Sequence, residues 1–348
     1  MKLAVFGIVV LVVACKSEPR SAPSAGSSTG SSAVVAIEPP VPDLPGELWF
    51  VEDGPPHTLV RIAGGKRLAI AAPLFPSSER LPDGRLVAIR SRGDGSPDSE
   101  QLVLVAADGT QMPIGPAAAQ VRNPVVAGAS IIAAIQTEGR SELHRIDIAT
   151  GSTTRLTDNK EGNFHPVRLG PDAIAFVSSR DGDSEIYRMP VAGGAQQRLT
   201  IFHKDDWDPV PSPDGKTIAF TSDREGPPRI FLIATDGTKF RRLTTRDDRT
   251  VEEDQAQWSP DGTKIAYVIR ASGQPRLIVR TVASGEETSM TPPSTSDTEP
   301  SWAPDGAWVA VVRAIGRESQ LIAIASDGTG APIPITERAA QLPRWFAR

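Results

Sequence analysis

The chain has 348 residues, 23% of them charged, and a formal net charge of −5. That length allows one large domain or two ordinary ones, and the mild acidity argues against a nucleic-acid binder, which would be basic on at least one face. A single cysteine excludes an intrachain disulfide, while 32 prolines and 30 glycines point to many short turns or to disorder.

The chain opens with MKLAVFGIVVLVVACKSEPRS. Lys2 is a minimal positive region, and Leu3 to Val13 form an apolar core. A membrane-spanning helix needs about 20 residues, so this core is too short to span but suits a signal peptide. The run VVAC resembles the bacterial lipobox. Residues 1–14 are therefore expected to be a lipoprotein signal peptide, with Cys15 as the lipidated residue. The alternative is an ordinary secretory signal followed by an incidental cysteine. Acyl chains on both the sulfur and the amine would hold the protein to a membrane, since one chain alone binds only marginally. The segment 15–46 is rich in Ser, Gly, Pro and Ala and has few large apolar groups. It cannot offset the entropy of ordering and reads as a disordered tether with a reach of roughly 30 Å.

From residue 47 onward one phrase recurs. PSPDGKTIAFTSDREG at 211–226 returns as WSPDGTKIAYVIRASG at 258 and WAPDGAWVAVVRAIG at 302. Short β-branched or aromatic runs occur seven times: LWFVED, LVAIRS, IIAAIQT, AIAFVSS, TIAFTSD, KIAYVIR and WVAVVRA. Each is followed by a second strand that ends in a Gly turn, and most by a third such as TRLT, QRLT or RRLT. Another begins near Pro124, Pro166, Pro209 and Pro300. The period is about 44 residues, the length of a four-stranded propeller blade. No sustained apolar 3.6 period is present, so the domain is expected to be all-β. Asp-Gly supplies the hairpin turn, and strands covered on both faces read as continuous apolar runs. The last residues, QLPRWFAR, match the Pro-x-Trp first-strand pattern of EPSW, and the domain opens on a second strand. A C-terminal first strand joining three N-terminal strands would close the ring. This predicts seven blades, or six if the unit around 76–118 is irregular.

These units, with DPVPSPDGKTIAFTSDREGPPRIFLIATDGTKFRRLT as the fullest copy, resemble the blades of the TolB family of propellers. QWSPDGTKIAYV and SSRDGDSEIYRM match the family phrase closely. The likeness is strong over 160–345 and weaker over 47–159. It implies a propeller fold, which family members share among TolB itself, periplasmic relatives and the propeller domains of prolyl-oligopeptidase-like peptidases. TolB has an α/β domain before its propeller and is a soluble periplasmic protein. This sequence shows no such domain and looks lipidated, so the family's binding of the peptidoglycan-associated lipoprotein is not carried over.

The one Gly-x-Ser-x-Gly run, GSSTG at 26–30, falls in the Ser/Gly-rich tether, and no α/β segment is present to hold it as a nucleophile elbow, which argues against a peptidase. The four histidines, His57, His144, His165 and His203, lack zinc-ligand spacing. His165 and His203 are expected near one another at the channel mouth. With Asp205, Asp206 and Asp208 they could bind a divalent metal, although a solvated loop is the plainer expectation, and no metal or other cofactor is assigned. Asp181, Asp183 and Glu185 superficially resemble a calcium loop but lack the full pattern. The blade-to-blade loops should gather on one face. They carry Asp205, Asp206, Asp247, Asp248, Glu252, Glu253, Asp254, Asp297 and Glu299, which would attract a basic partner segment. Trp207 would add an apolar anchor. The plainer alternative is that these charges only keep loop tips soluble.

The sequence therefore predicts a monomeric, membrane-tethered, non-enzymatic propeller that binds a protein or peptide in the bacterial envelope and no nucleic acid. Its expected rim comprises His165, His203, Asp205, Asp206, Trp207, Asp208, Asp254 and Glu299. The main alternative is a channel-centred lyase or lactonase-like enzyme using His165 and His203. Glycan binding draws little support from two tyrosines.

Overall fold

The structure, a computed structural model, describes residues 43–347 apart from 55, 56, 95, 97 and 138. The expected signal peptide, Cys15 and most of the expected tether lie outside the described residues. Among the described residues there are 28 strands and no helix.

The strands form seven four-stranded sheets. Blade I contains β1 (Glu47–Glu52), β2 (Thr58–Ala63) and β3 (Lys66–Ala71). Blade II contains β4 (Leu74–Arg80), β5 (Leu86–Ser91), β6 (Glu100–Val105) and β7 (Gln111–Ala118). Blade III contains β8 (Val121–Ala127), β9 (Ser130–Thr137), β10 (Arg140–Asp147) and β11 (Thr153–Arg155). Blade IV contains β12 (Asn163–Arg168), β13 (Ala173–Ser178), β14 (Glu185–Pro190) and β15 (Gln197–Arg198). Blade V contains β16 (Asp206–Pro211), β17 (Thr217–Ser222), β18 (Arg229–Ala234) and β19 (Arg241–Arg242). Blade VI contains β20 (Val251–Trp258), β21 (Lys264–Ala271), β22 (Gln274–Thr281) and β23 (Glu287–Ser289). Blade VII contains β24 (Asp297–Trp302), β25 (Trp308–Ile315), β26 (Glu318–Ala325) and β27 (Ile333–Pro334).

The final strand, β28 (Ala340–Phe346), leaves its sequence neighbours and pairs antiparallel with β1, with Leu48 opposite Trp345. It supplies the inner strand that blade I lacks, as QLPRWFAR predicts. Each inner strand also touches those of both neighbouring blades, so the ring closes. The unit around 76–118 is a complete blade, and the count is seven.

Apolar strands meet between blades. Phe220 and Phe231 of blade V pack with Ala175 and Ile186 of blade IV, all at most 1% exposed. Burying each large side chain stabilises by about 1.5–3 kcal/mol. The repeated Ser-Pro-Asp-Gly is the turn between inner and second strands. Ser212 Oγ donates to Asp214 Oδ1 at 2.6 Å and accepts the Thr217 amide at 3.0 Å. Gly215 has φ +68°, a left-handed conformation that costs a side-chain-bearing residue energy.

The indoles stitch blades together. Trp258 Nε1 donates to Val210 O and Trp302 Nε1 to Gln257 O, both at 3.0 Å and both from one blade to the next, while Trp345 Nε1 donates within blade I to Pro45 O, just before β1, at 2.5 Å. Strand direction places the blade-to-blade loops and the hairpins between second and third strands on one face, called here the junction face. The Ser-Pro-Asp-Gly turns occupy the opposite face.

Candidate functional site: the channel ring and the junction face

Inner strands line the central channel of a propeller, and six of the seven bend at a residue with left-handed φ. These are Asn123, His165, Asp208, Gln255, Glu299 and Leu342, with φ between +45° and +55°. All but Gln255 precede a proline. Each lies where the ladder to the second strand slips register, as a β-bulge does. The conformation costs roughly 1–2 kcal/mol per residue without glycine, so the surroundings must hold it in place.

Part of that hold comes from the blade next door. A bulge leaves amides without ladder partners, and a side chain of the preceding inner strand accepts them. Gln255 Oε1 accepts the Glu299 amide at 2.7 Å, and Glu299 Oε2 accepts the Leu342 amide at 2.7 Å. Glu79 Oε2 makes a similar reach to the next inner strand, accepting the Val126 amide beyond the bulge at 3.1 Å.

The ring is also ionisable. His165 Nδ1 lies 3.2 Å from Asp208 Oδ1 across the blade IV–V junction. Asp254 follows on β20, with one oxygen 2.9 Å from Arg270 Nε and the other buried without a partner. Protein walls on all sides make even a water-accessible channel a poor solvent for charge. Burial accordingly raises the carboxyls of Asp208, Asp254 and Glu299. For Asp208 the His165 ring opposes the shift and the Asp254 charge adds to it. Glu79 is pushed up to about 7 by burial, against the Val126 amide and Arg168. Arg344, deep beside Glu299, is lowered by the same desolvation.

The expected rim divides into three groups. His165, Asp208, Asp254 and Glu299 lie on inner strands at or beside the bulges, linked as described above. His203 sits in an exposed loop, and no hydrogen bond or ion pair joins it to His165. Trp207 is half-buried on β16. Asp206 and Asp205 are structural instead. Asp206 is fully buried, with both oxygens on Arg224 Nη2 at 2.8 and 2.7 Å, so it offers no charge to a partner. Asp205 accepts the Ser184 amide at 2.7 Å. Asp297, likewise expected in the acidic loops, is buried on Arg313, and Glu253 is buried on Thr244.

Asp247, Asp248 and Glu252 are exposed on the junction face, but Lys160, Lys204 and Arg249 are exposed there too. The face is mixed in charge rather than uniformly acidic. The sequence reading overlooked the adjacent apolar side chains Ile201 and Phe202, 76% and 42% exposed in the loop before β16. Their signal was two apolar residues following the short outer strand QRLT.

Among the described residues no group of three or more His, Cys, Asp or Glu is placed to hold a metal ion. The three acids of SRDGDSE do not converge. Asp181 accepts the Tyr187 hydroxyl, and Glu185 is buried on Thr200. His144 is buried with Nδ1 3.1 Å from Glu142 O, and burial lowers its pKa.

Seven closed blades around a polar channel define a β-propeller scaffold. The model of the TolB beta propeller domain matches residues 170–347, just over half of the chain. The chain belongs to that family. Over 222 residues it is 29% identical to the Tol-Pal system protein TolB of Francisella tularensis, covering 60% of this chain and 50% of that one. TolB from Acinetobacter baumannii superposes with a TM-score of 0.57 at 22% identity, over 87% of this chain and 67% of that one. A puromycin-hydrolyzing peptidase of Mycobacterium tuberculosis reaches 0.68 at 18% identity, over 87% and 53%. These two structural likenesses describe the fold alone. The chain spans half or less of the length of the curated relatives it matches.

Proposed function

We propose that the chain is a membrane-tethered, non-enzymatic propeller of the bacterial cell envelope that binds a protein or peptide over its junction face. The observation that carries this reading is the pairing, on one face, of exposed Ile201 and Phe202 with the polar channel ring. Apolar anchors surrounded by polar groups are the usual anatomy of a protein interface. The likeness to a protein named for the Tol-Pal system supports an envelope setting and a protein partner. The tether would be the acylated Cys15.

Photocrosslinking on intact envelopes tests the site. A photoreactive residue placed at 202, 203 or 247 should capture one common partner, while one at 261, on the opposite face, should not. Capture from 261 alone, or from no position, would overturn the assignment.

An enzyme remains the competing reading, favoured by the His165–Asp208 pair, which brings an imidazole nitrogen within 3.2 Å of a carboxylate oxygen in the channel ring. Turnover of a lactone or uronate substrate that His165→Gln abolishes would select it.

A further inference from the structure

The seams between blades III and IV and between IV and V are built from the same parts. At the first, Glu142 of β10 is fully buried. It accepts the Thr157 hydroxyl at 2.5 Å, the Asn159 amide at 2.9 Å and the Asn163 side-chain amide at 2.7 Å. Asn163 Oδ1 accepts Arg180 Nη2 at 2.9 Å, and Arg180 lies over the Tyr187 ring. At the second, Glu185 of β14 is fully buried. It accepts the Thr200 hydroxyl at 2.5 Å and the Phe202 amide at 2.6 Å. Asp206 stands where Asn163 stands, Arg224 where Arg180 stands, and Phe231 where Tyr187 stands. The substitution that changes the electrostatics is Asn to Asp.

The change matters because Asn163 joins its seam by donating a hydrogen bond to a buried carboxylate. An ionised Asp206 has no hydrogen to donate and instead sets a second negative charge near Glu185. Protonated, it regains a donor in the same place. The matching third-strand position of blades V, VI and VII holds Arg229, Arg276 and Gln320, so those seams set no second carboxylate there.

We infer that Asp206 holds a proton that it donates to Glu185, and that this proton controls how tightly blades IV and V are joined beneath the Ile201–Phe202 loop. With the proton present, Asp206 donates to Glu185 as Asn163 does to Glu142. With it lost, the two carboxylates repel and the seam relies on its arginines. The charged groups facing the pair are Arg224 on Asp206 and Arg198 on Glu185, the latter at 2.7 Å. Asp181 lies beyond Arg198, and Asp223 accepts the Asp205 amide at 3.1 Å. Arg224 is also held by Ser222 and stacked on Phe240 and Phe202, a position Arg180 shows to be compatible with a neutral partner. Burial, reinforced by Glu185, pushes the Asp206 carboxyl up to about 6 against the pull of Arg224 and Ser222.

The sign follows. The folded pKa lies above the ordinary carboxyl value, so the native state holds the proton where the unfolded chain has lost it. The seam's stabilisation is full in acid and is lost as pH rises through about 6. The loop it holds is attached by the Phe202 amide on Glu185 and by Asp205 on the Ser184 amide, so its mobility should rise over the same interval.

The test uses the full chain and compares variants, since other buried carboxyls titrate as well. Asp206→Asn should melt higher than wild type at pH 7.5, with the difference shrinking at pH 5. Asn163→Asp installs the pair at the other seam and should lower the melting temperature more at pH 7.5 than at pH 5. In wild type, hydrogen exchange at the Phe202 and Ser184 amides, corrected for intrinsic rates, should be several-fold faster at pH 7.5 than at pH 5, and Asp206→Asn should remove that difference. Equal destabilisation by Asp206→Asn at both pH values, with pH-independent corrected exchange in wild type, would overturn the inference. Asp206 would then be a simple ion-pair partner of Arg224.

Discussion

Glu299 and Leu342 lie 43 residues apart, yet a Glu299 oxygen accepts the Leu342 amide at 2.7 Å. The last inner strand is thereby held twice, by its ladder to β1 and by a side chain reaching round the channel from blade VII. Trp345 adds a third hold. It is 8% exposed, its amide lies 3.2 Å from Ser301 Oγ, and its indole donates to Pro45.

Ring closure should therefore dominate stability. Trp345→Ala should cost about 3–5 kcal/mol, the usual loss for a buried Trp. Deleting 341–348 should expose the edges of β1 and of blade VII and promote association between chains. Thermal melting and gel filtration check both effects. An unchanged melting temperature in the truncated chain would contradict the closure.

Indole stitching is separable from indole packing. Trp302→Phe keeps the ring but removes the donor to Gln257 O, leaving a carbonyl short of a partner. The expected loss is about 1 kcal/mol, much smaller than for Trp302→Ala. Denaturant titration of the pair of variants tells the two contributions apart.

Glu79 should make the channel sensitive to pH. Its folded pKa of about 7 exceeds the ordinary value, so the native state binds the extra proton between about pH 4.5 and 7. Stability from this group is present in acid and is lost as pH rises through 7, by about 1–3 kcal/mol. Glu79→Gln retains an acceptor for the Val126 amide and should flatten the melting temperature between pH 5 and 8. A wild-type decline that persists unchanged in Glu79→Gln would assign the effect elsewhere.

Much of the architecture was legible because a propeller writes each blade as a local phrase. The apolar runs, the Ser-Pro-Asp-Gly turns and the Pro-x-Trp match between EPSW and QLPRWFAR each follow from spacing along the chain. What a carboxylate does was not legible, because its partner depends on packing between segments. Asp206 and Asp208 are two residues apart in one short strand. One is turned into the blade onto Arg224, and the other faces His165 across the channel ring. The clue was the recurring Arg after the second strand, as in SSR at 178–180 and SDR at 222–224, which marks a cation reaching back to the start of the inner strand. The left-handed bulges were hinted at by a proline in an inner strand, since a proline cannot donate to a ladder.

Lipidation is predicted from VVAC alone. Cys15→Ser should abolish palmitate labelling and leave a chain that is no longer processed at this site and lacks the diacyl anchor. Equal labelling of wild type and variant would place any acyl group at another residue.

The junction face carries the last prediction. Asp206 cannot contribute to long-range attraction, because Arg224 neutralises it inside the blade. Reversing its charge would strand that guanidinium and damage the fold, so it is unsuited to test binding. Asp247 and Glu252 are exposed and free of that complication. At physiological salt the Debye length is about 8 Å, so their influence is mostly on encounter. Asp247→Lys with Glu252→Lys should slow association of a basic partner, and the effect should fade as salt rises. Phe202→Ala and Trp207→Ala remove apolar contact and should instead speed dissociation, with little salt dependence. Surface-immobilised kinetics with the crosslinked partner separate the two rates. Full affinity in a variant carrying all four changes would place the binding surface away from the junction face.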